Sequence, residues 1–527
     1  MKKRHKAGLL LTLAVICMAG FAACGPHTHS LTLHPAEEAT CTEAGNTAYW
    51  SCSCGKYFSD GEGKTEIAGD SWIIPAAGHD FEDGACRICG YPQAGTEGLA
   101  YTLIEGGVAY EVSGIGEATD QKIVIPSAYR GLPVIGIGEY AFENCDITSL
   151  YLPDSIRSIG WKAFQGCSRL TGVFITDLAA WCEAEVAFDS NPLFHAENLY
   201  LNNKPVRELV VPKGVTHIGD NVFSSCKNLT SVTVLDSVTR IGARAFSECE
   251  NLMRVSLPDS VTSVGVDAFY NTGYYNEEAN WEDNLLYIGK HLVATRYGQE
   301  SCKLKPDTRT IAAMAFRYET TLKNIVIPDS VVTIGNGAFY FCRNLEKVTI
   351  GRGVTSIEAD AFMSCESLTN IAVAEGNPNY RSVDGDLYSK DGRTLLQYAN
   401  GKKEALFVIP DGVTGIGDAA FAFCDTLTRV VIPDSVTRIG DLAFSWCMSL
   451  TSVTIGKGVT SIGHEAFSPC NSLTSAVFAE PDGWRRVGSE EGPGGAIPSD
   501  DLADPETAAD CLTSLHSDYD WEREPSA

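Results

Sequence analysis

A block of 23 residues recurs along most of this chain, and no other feature restricts the fold as much. The unit reads L-x-x-V-x-I-P-D-S-V-T-x-I-G-x-x-A-F-x-x-C-x-x. Its phenylalanine falls at Phe142, Phe164, Phe223, Phe246, Phe269, Phe316, Phe339, Phe362, Phe421, Phe444 and Phe467. Most gaps between them are 23 residues and one is 22, while two are 59 and one is 47, so three inserts interrupt the array. A fixed period of this length signals units that cannot bury an apolar face alone and must stack. Leu252-x-x-Val255-x-Leu257 alternates as a half-buried strand does. Pro258-Asp259 stops it, because proline has no N–H for a ladder and Pro-Asp suits a turn. Val261 to Val264 is a second short extended run, ended by Gly265. Asp267-Ala268-Phe269 is expected to form a single helical turn folded onto the coil. The sequence therefore predicts a repeat solenoid over 121–480, mostly short strands and turns.

The L-x-x-L-x-L core of this unit resembles leucine-rich repeats. Its continuation, I-P-D-S-V-T-x-I-G-x-x-A-F-x-x-C, resembles the BspA-like class of bacterial surface leucine-rich-repeat proteins. That resemblance implies a surface-exposed or secreted protein, engaged in adhesion to host components or other microbes.

Nine of the eleven units carry cysteine three residues after the phenylalanine: Cys145, Cys167, Cys226, Cys249, Cys342, Cys365, Cys424, Cys447 and Cys470. Side chains in register on stacked coils point in parallel and bridge poorly, so these read as small, soft core residues rather than a metal or redox ladder. Thr272 and Glu319 take that place beside the 47-residue gap. The inserts read as hairpins around Gly289-Lys290 and Asp391-Gly392, and as a short helix returning to strand over 177–212. Asp384, Asp386 and Asp391 fit turn chemistry better than calcium, since the closing glutamate of an EF-hand is missing.

Ahead of the array, residues 1–23 have a basic start, Lys2, Lys3, Arg4 and Lys6, then an apolar run from Leu9 to Met18 and small residues up to Cys24. This resembles a bacterial lipoprotein signal, which implies lipidation of Cys24. Phe21 stands where leucine is commonest, so a plain secretory signal is the alternative. Residues 24–95 form a small cysteine- and histidine-containing module. Cys86-Arg-Ile-Cys89-Gly has zinc-knuckle spacing, and Cys52-Ser-Cys54-Gly is one residue short of it. Together Cys52, Cys54, Cys86 and Cys89 could supply the four ligands of a structural zinc; disulfides or free thiols are the other readings. The segment Ala39 to Asp60 resembles small modules that precede repeats in surface proteins of gut anaerobes, implying a spacer. Residues 96–120 lead into the solenoid, and 481–527 are expected to cap its last coil.

The chain carries 40 Lys and Arg against 67 Asp and Glu, a formal charge of −27. That argues against nucleic acid as a partner and against docking on anionic lipid, leaving a lipid anchor as the one expected membrane contact. Nucleophile elbow, HExxH and P-loop motifs are missing, and His195, His217, His291 and His464 fall at unrelated phases of the repeat. The expected function is a surface-anchored binding protein or adhesin for a host or microbial protein or glycan. A structural spacer without a ligand and an exported enzyme acting through the N-terminal module are the alternatives. One outward strand position reads Gly172, Ser231, Arg254, Asn324, Lys347, Asn370, Arg429, Ser452 and Ser475. Arg254, Lys347 and Arg429, with Lys323 beside them, are expected to line one column of the concave sheet and attract anionic groups such as sulfated or sialylated glycans. For the N-terminus, mass spectrometry of native protein should find diacylglycerol on Cys24; an unmodified mature terminus or an intact leader would refute the anchor.

Overall fold

The computed structural model describes residues 30–523 apart from 37, 40, 42–44, 76, 78–79, 83–84, 88–91, 93, 299 and 488–493. The chain divides into two compact units, 1–80 and 81–527. In the first, strands Leu31–His34, Tyr49–Cys52, Tyr57–Phe58 and Glu66–Ile67 form an antiparallel sheet in chain order. His34 stacks on Tyr49 and Tyr49 on Trp72, with ring centroids 4.4 and 4.1 Å apart.

The second unit is a solenoid with two strands per coil. The longer strand contains the L-x-x-V-x-I segment. Between inserts, such strands pair in parallel with their equivalents one repeat later, as Ser231 with Arg254, Asn324 with Lys347 and Arg429 with Ser452. The inserts divide this first face into four sheets, and the two-residue V-T-x-I strands build the second face. Between the faces lies the core, whose spine is the phenylalanine column. Phe223, Phe246 and Phe269 stack at 5.2 and 5.4 Å, nearly coplanar, and all eleven repeat phenylalanines are buried. Tyr398 takes the phenylalanine place after the last insert and stacks on Phe421 at 5.0 Å.

The polar letters of the repeat are explained by the coil before. Ser260 Oγ donates to the Val238 carbonyl, and Thr262 Oγ1 to the Thr239 carbonyl. The thiols of Cys167, Cys249, Cys342, Cys365, Cys447 and Cys470 donate to the carbonyls of Phe142, Phe223, Phe316, Phe339, Phe421 and Phe444, at 3.0–3.2 Å. Cys226 and Cys424 each follow an insert. Their thiols turn instead to Asn228 and Thr426. The cysteine ladder is thus a core element that also satisfies backbone. The I-G glycine serves close approach: a Cβ on Gly265 would lie 2.4 Å from the amide nitrogen of Ala243.

The expected helical turn does not form. Around Phe246, the N–H groups of Arg244, Phe246 and Glu248 donate to Val266, Ala268 and Tyr270 of the next coil. Those donors are unavailable for helical bonds, and the chain reverses through left-handed residues instead. The position two before the phenylalanine has positive φ in all eleven units, and the position two after it in ten. In the eleventh the latter position is Pro469, whose ring forbids that conformation.

At the C-terminal end, strand Asp520–Arg523 pairs antiparallel with the last short strand, Ser461–Ile462. Trp484 and Trp521 are buried there against Phe478, and helices Ser499–Ala503 and Pro505–Asp510 add Leu502, Ala508 and Ala509 to the same core.

Burial pushes the Cys226 and Cys342 thiols up to about 12, because desolvation of the thiolate outweighs the hydrogen bonding around it. The unfolded chain therefore loses these protons first, so stability is full below pH 9 and falls as pH rises from 9 towards 12. Each thiol costs about 1.4 kcal/mol per pH unit in that window. Urea unfolding at pH 8 and pH 10 should show this loss, and a Cys226→Ala, Cys342→Ala variant should lose about 3 kcal/mol less between the two. In native protein at pH 8 both thiols should resist alkylation until urea is added.

Candidate binding surfaces

The basic positions expected on the first face are all exposed or half-buried, and Arg254, Lys347 and Arg429 do occupy one register position. They do not adjoin, because the inserts place each on a different sheet. Arg254 reaches back two strands to Glu208 at 3.4 Å, and Lys323 pairs with Glu300 at 3.2 Å. Lys347 and Arg429 have no carboxylate within ion-pair distance among the described residues, which leaves them as two separate cations.

The second outward position of the same strands carries a feature missed in the sequence. Tyr151, Phe174 and Tyr200 lie on adjacent parallel strands, Ser149–Leu152, Gly172–Ile175 and Leu199–Leu201. Their half-buried rings stack at 4.4 and 4.6 Å, each pair within 12° of parallel. Gly172 clears the space: a Cβ there would sit 2.9 Å from the Phe174 ring and 3.1 Å from Tyr200. Burial raises the Tyr151 phenol above its ordinary range. Later coils put no ring at this position: valine is commonest there, as at Val210, Val326, Val408, Val431 and Val477, and Thr233, Thr349 and Thr454 are next. Reading this outward position as well as its neighbour would have found the ladder.

Each insert opens a cleft in the stack. The largest, of 850 Å³, lies on the second face and is lined by Glu111, Glu139, Glu185, Asp220, His217 and Arg240. Burial, and then the Glu139 carboxylate, hold the Glu111 carboxyl above the usual range. Arg240 is tied to Asp220 at 3.0 Å. The second cleft, of 370 Å³, is bordered by Tyr270, Tyr275, Tyr297, Arg296 and Arg317, beside the hairpin Leu285–Ile288 and His291–Thr295. The third, of 260 Å³, lies where the strands of Ile357 and Leu395 are not paired. There Asp391 accepts from Arg393 N and Ser389 Oγ, as its turn requires. Asp386 is buried, accepts from Ala399 N and meets the Lys402 ammonium at 2.7 Å.

Of the expected zinc ligands, Cys52 and Cys54 lie in the first unit and Cys86 in the second. Cys89, like Cys24, lies outside the described residues. Cys54 is exposed, and its contact with the Cys52 side chain holds its thiol below the ordinary range. Neither unit by itself gathers four thiolates among the described residues.

Two faces of parallel strands around a stacked apolar column, with coils of 23 residues, define a leucine-rich-repeat solenoid. The family model for the BspA type leucine rich repeat region matches in six copies, over 122–190, 196–296, 288–384 and 398–489. The chain belongs to that family. Among solved structures it is similar to a leucine-rich repeat protein from Eubacterium ventriosum, at 26% identity and TM-score 0.32, covering 55% of this chain and 62% of that one. It is also similar to a leucine rich cell surface protein from Faecalibacterium prausnitzii, at 25% identity and TM-score 0.29, covering 72% and 87%. The pneumococcal vaccine antigen PcpA matches at 15% identity and TM-score 0.26, covering 74% and 82%. A comparison with curated proteins finds no match. No helix among the described residues is long and apolar enough to cross a membrane.

The buried Asp386–Lys402 pair ties the third insert to the coil that follows it. Removing one partner strands the other charge, so Asp386→Ala should cost about 3 kcal/mol in denaturant unfolding. Asp386→Asn keeps an acceptor for Ala399 N and should cost less.

Proposed function

We propose that this chain is an exported, surface-anchored binding protein that recognises a host or microbial surface protein or glycan without catalysis. Its anchor is an acyl chain on Cys24. The observation that carries the reading is the Tyr151–Phe174–Tyr200 ladder on an outward sheet position. Three half-buried rings held parallel, with a glycine cleared beside them, form a rigid apolar platform of the kind that anchors partners. Later coils carry valine, threonine, serine, alanine or lysine at this position and no ring, so the three stacked aromatics are confined to the first coils. Lys347 and Arg429 add two cations along the same face for an anionic rim.

Pull-down with the purified chain against host matrix proteins, mucin glycans and co-resident cells is the test. A saturable partner is expected, and Phe174→Ala should weaken it about thirtyfold, or about 2 kcal/mol. The triple variant Arg254→Glu, Lys347→Glu, Arg429→Glu should weaken an anionic partner, and the parent interaction should weaken with added salt. Failure to retain any partner would favour the spacer reading.

A further inference from the structure

The turn edge of the solenoid carries a second row of aromatic rings, held on left-handed backbone. The position two after the repeat phenylalanine is left-handed in nearly every coil. In the first five units it holds Asn144, Gly166, Ser225, Glu248 and Asn271, three of them residues that enter this region at little cost. In later units it holds Tyr318, Phe341, Phe423 and Trp446, with φ of 60°, 59°, 61° and 59°. A bulky side chain with positive φ is an outlier, and this column holds four aromatic ones. The rings form a continuous line along the stack. Tyr318 meets Phe341 at 5.5 Å, Phe341 meets Phe423 at 5.7 Å, and Phe423 stacks on Trp446 at 5.6 Å, nearly coplanar. Ser364 and Asn400 stand in the column between Phe341 and Phe423 and are buried, so the two rings close over small side chains. Tyr340 packs beside Phe341 at 4.6 Å. Tyr318 is 52% exposed and Trp446 46%.

We propose that this ridge binds a neutral polysaccharide chain laid along the coil axis. A row one ring wide suits an extended partner, whereas a protein interface needs a broad, compact centre. The exposed parts of Tyr318 and Trp446, at the two ends of the row, offer electron-rich ring surface to the weakly positive C–H groups on the flat side of a pyranose. The glycan should be uncharged, because the chain carries −27 and Arg343, the cation over Phe341, is already paired with Glu366 at 3.1 Å. This ridge is separate from the ladder of the proposed function, so either can fail alone.

The test is calorimetric titration of the full chain with neutral hexasaccharides of β-linked glucose, mannose and xylose, and with a heparin hexasaccharide. At least one neutral chain should bind, and any heparin bound should be held by the cations of the first face and be unaffected by substitutions in the ridge. The double variant Tyr318→Asn, Trp446→Asn should lose at least tenfold in affinity, while its melting temperature holds or rises because asparagine accepts the left-handed backbone. Asn144→Gly, in the same column outside the ridge, should leave binding unchanged. No binding by any neutral chain, or unchanged binding by the double variant, would overturn the proposal. So would a lower melting temperature in the double variant, which would make the rings part of the packing. A pull-down partner lost in Phe174→Ala while the double variant binds hexasaccharide normally would leave the first reading standing and remove this one.

Discussion

The solenoid depends on a hydrogen-bond relation between each coil and the one before it. A coil of 23 residues has far more backbone donors and acceptors than it can pair internally, and buried groups must be paired. The parallel strands meet part of that demand. Backbone bonds between coils at the turns meet more of it, as from Arg244, Phe246 and Glu248 N–H, and hydroxyls and thiols add donors for carbonyls one repeat away, such as Ser260 to Val238, Thr262 to Thr239 and Cys249 to Phe223. Because these bonds recur at the same positions in many coils, one register serves the whole array. The phenylalanine column then stacks as a by-product of that register, and burial of its rings supplies the apolar stabilisation.

The same relation explains the turn edge. The N–H groups around each phenylalanine are spent on the next coil, so no helical turn can form, and the chain must reverse through two left-handed residues. That geometry presents a regular row of outward side chains, which the sequence is free to fill. In the early coils it is filled mostly with residues that suit the backbone; in the later ones it is filled mostly with rings that do not.

Periodicity made the solenoid and the positions of its inserts legible, because Phe-to-Phe gaps count coils directly. The inserts around Gly289-Lys290 and Asp391-Gly392 are the hairpins their turn residues imply. The bonding role of Cys167 or Cys342 was not legible, since a thiol that fills space and a thiol that donates to a carbonyl look alike in a repeat. The expected helical turn failed because local propensity says nothing about donors claimed by a neighbour. The basic column kept its register and lost its continuity, because a linear alignment of repeats conceals how inserts such as 270–309 part the sheets. The Tyr151, Phe174 and Tyr200 ladder lay one alternate position along the same strands.

The gap at the third insert has a mechanical consequence. The apolar interior falls into two clusters that part between Leu387 and Tyr388, and the second ends at Trp521. In a stack where each coil touches only its neighbours, cooperativity passes through the weakest junction. A molecule tethered at one end and gripped at the other would therefore yield first at this seam, and the C-terminal segment, closed by its own tryptophans, would come away as an intact block. Extension under load would then proceed in steps, letting a tethered protein lengthen before its grip is lost.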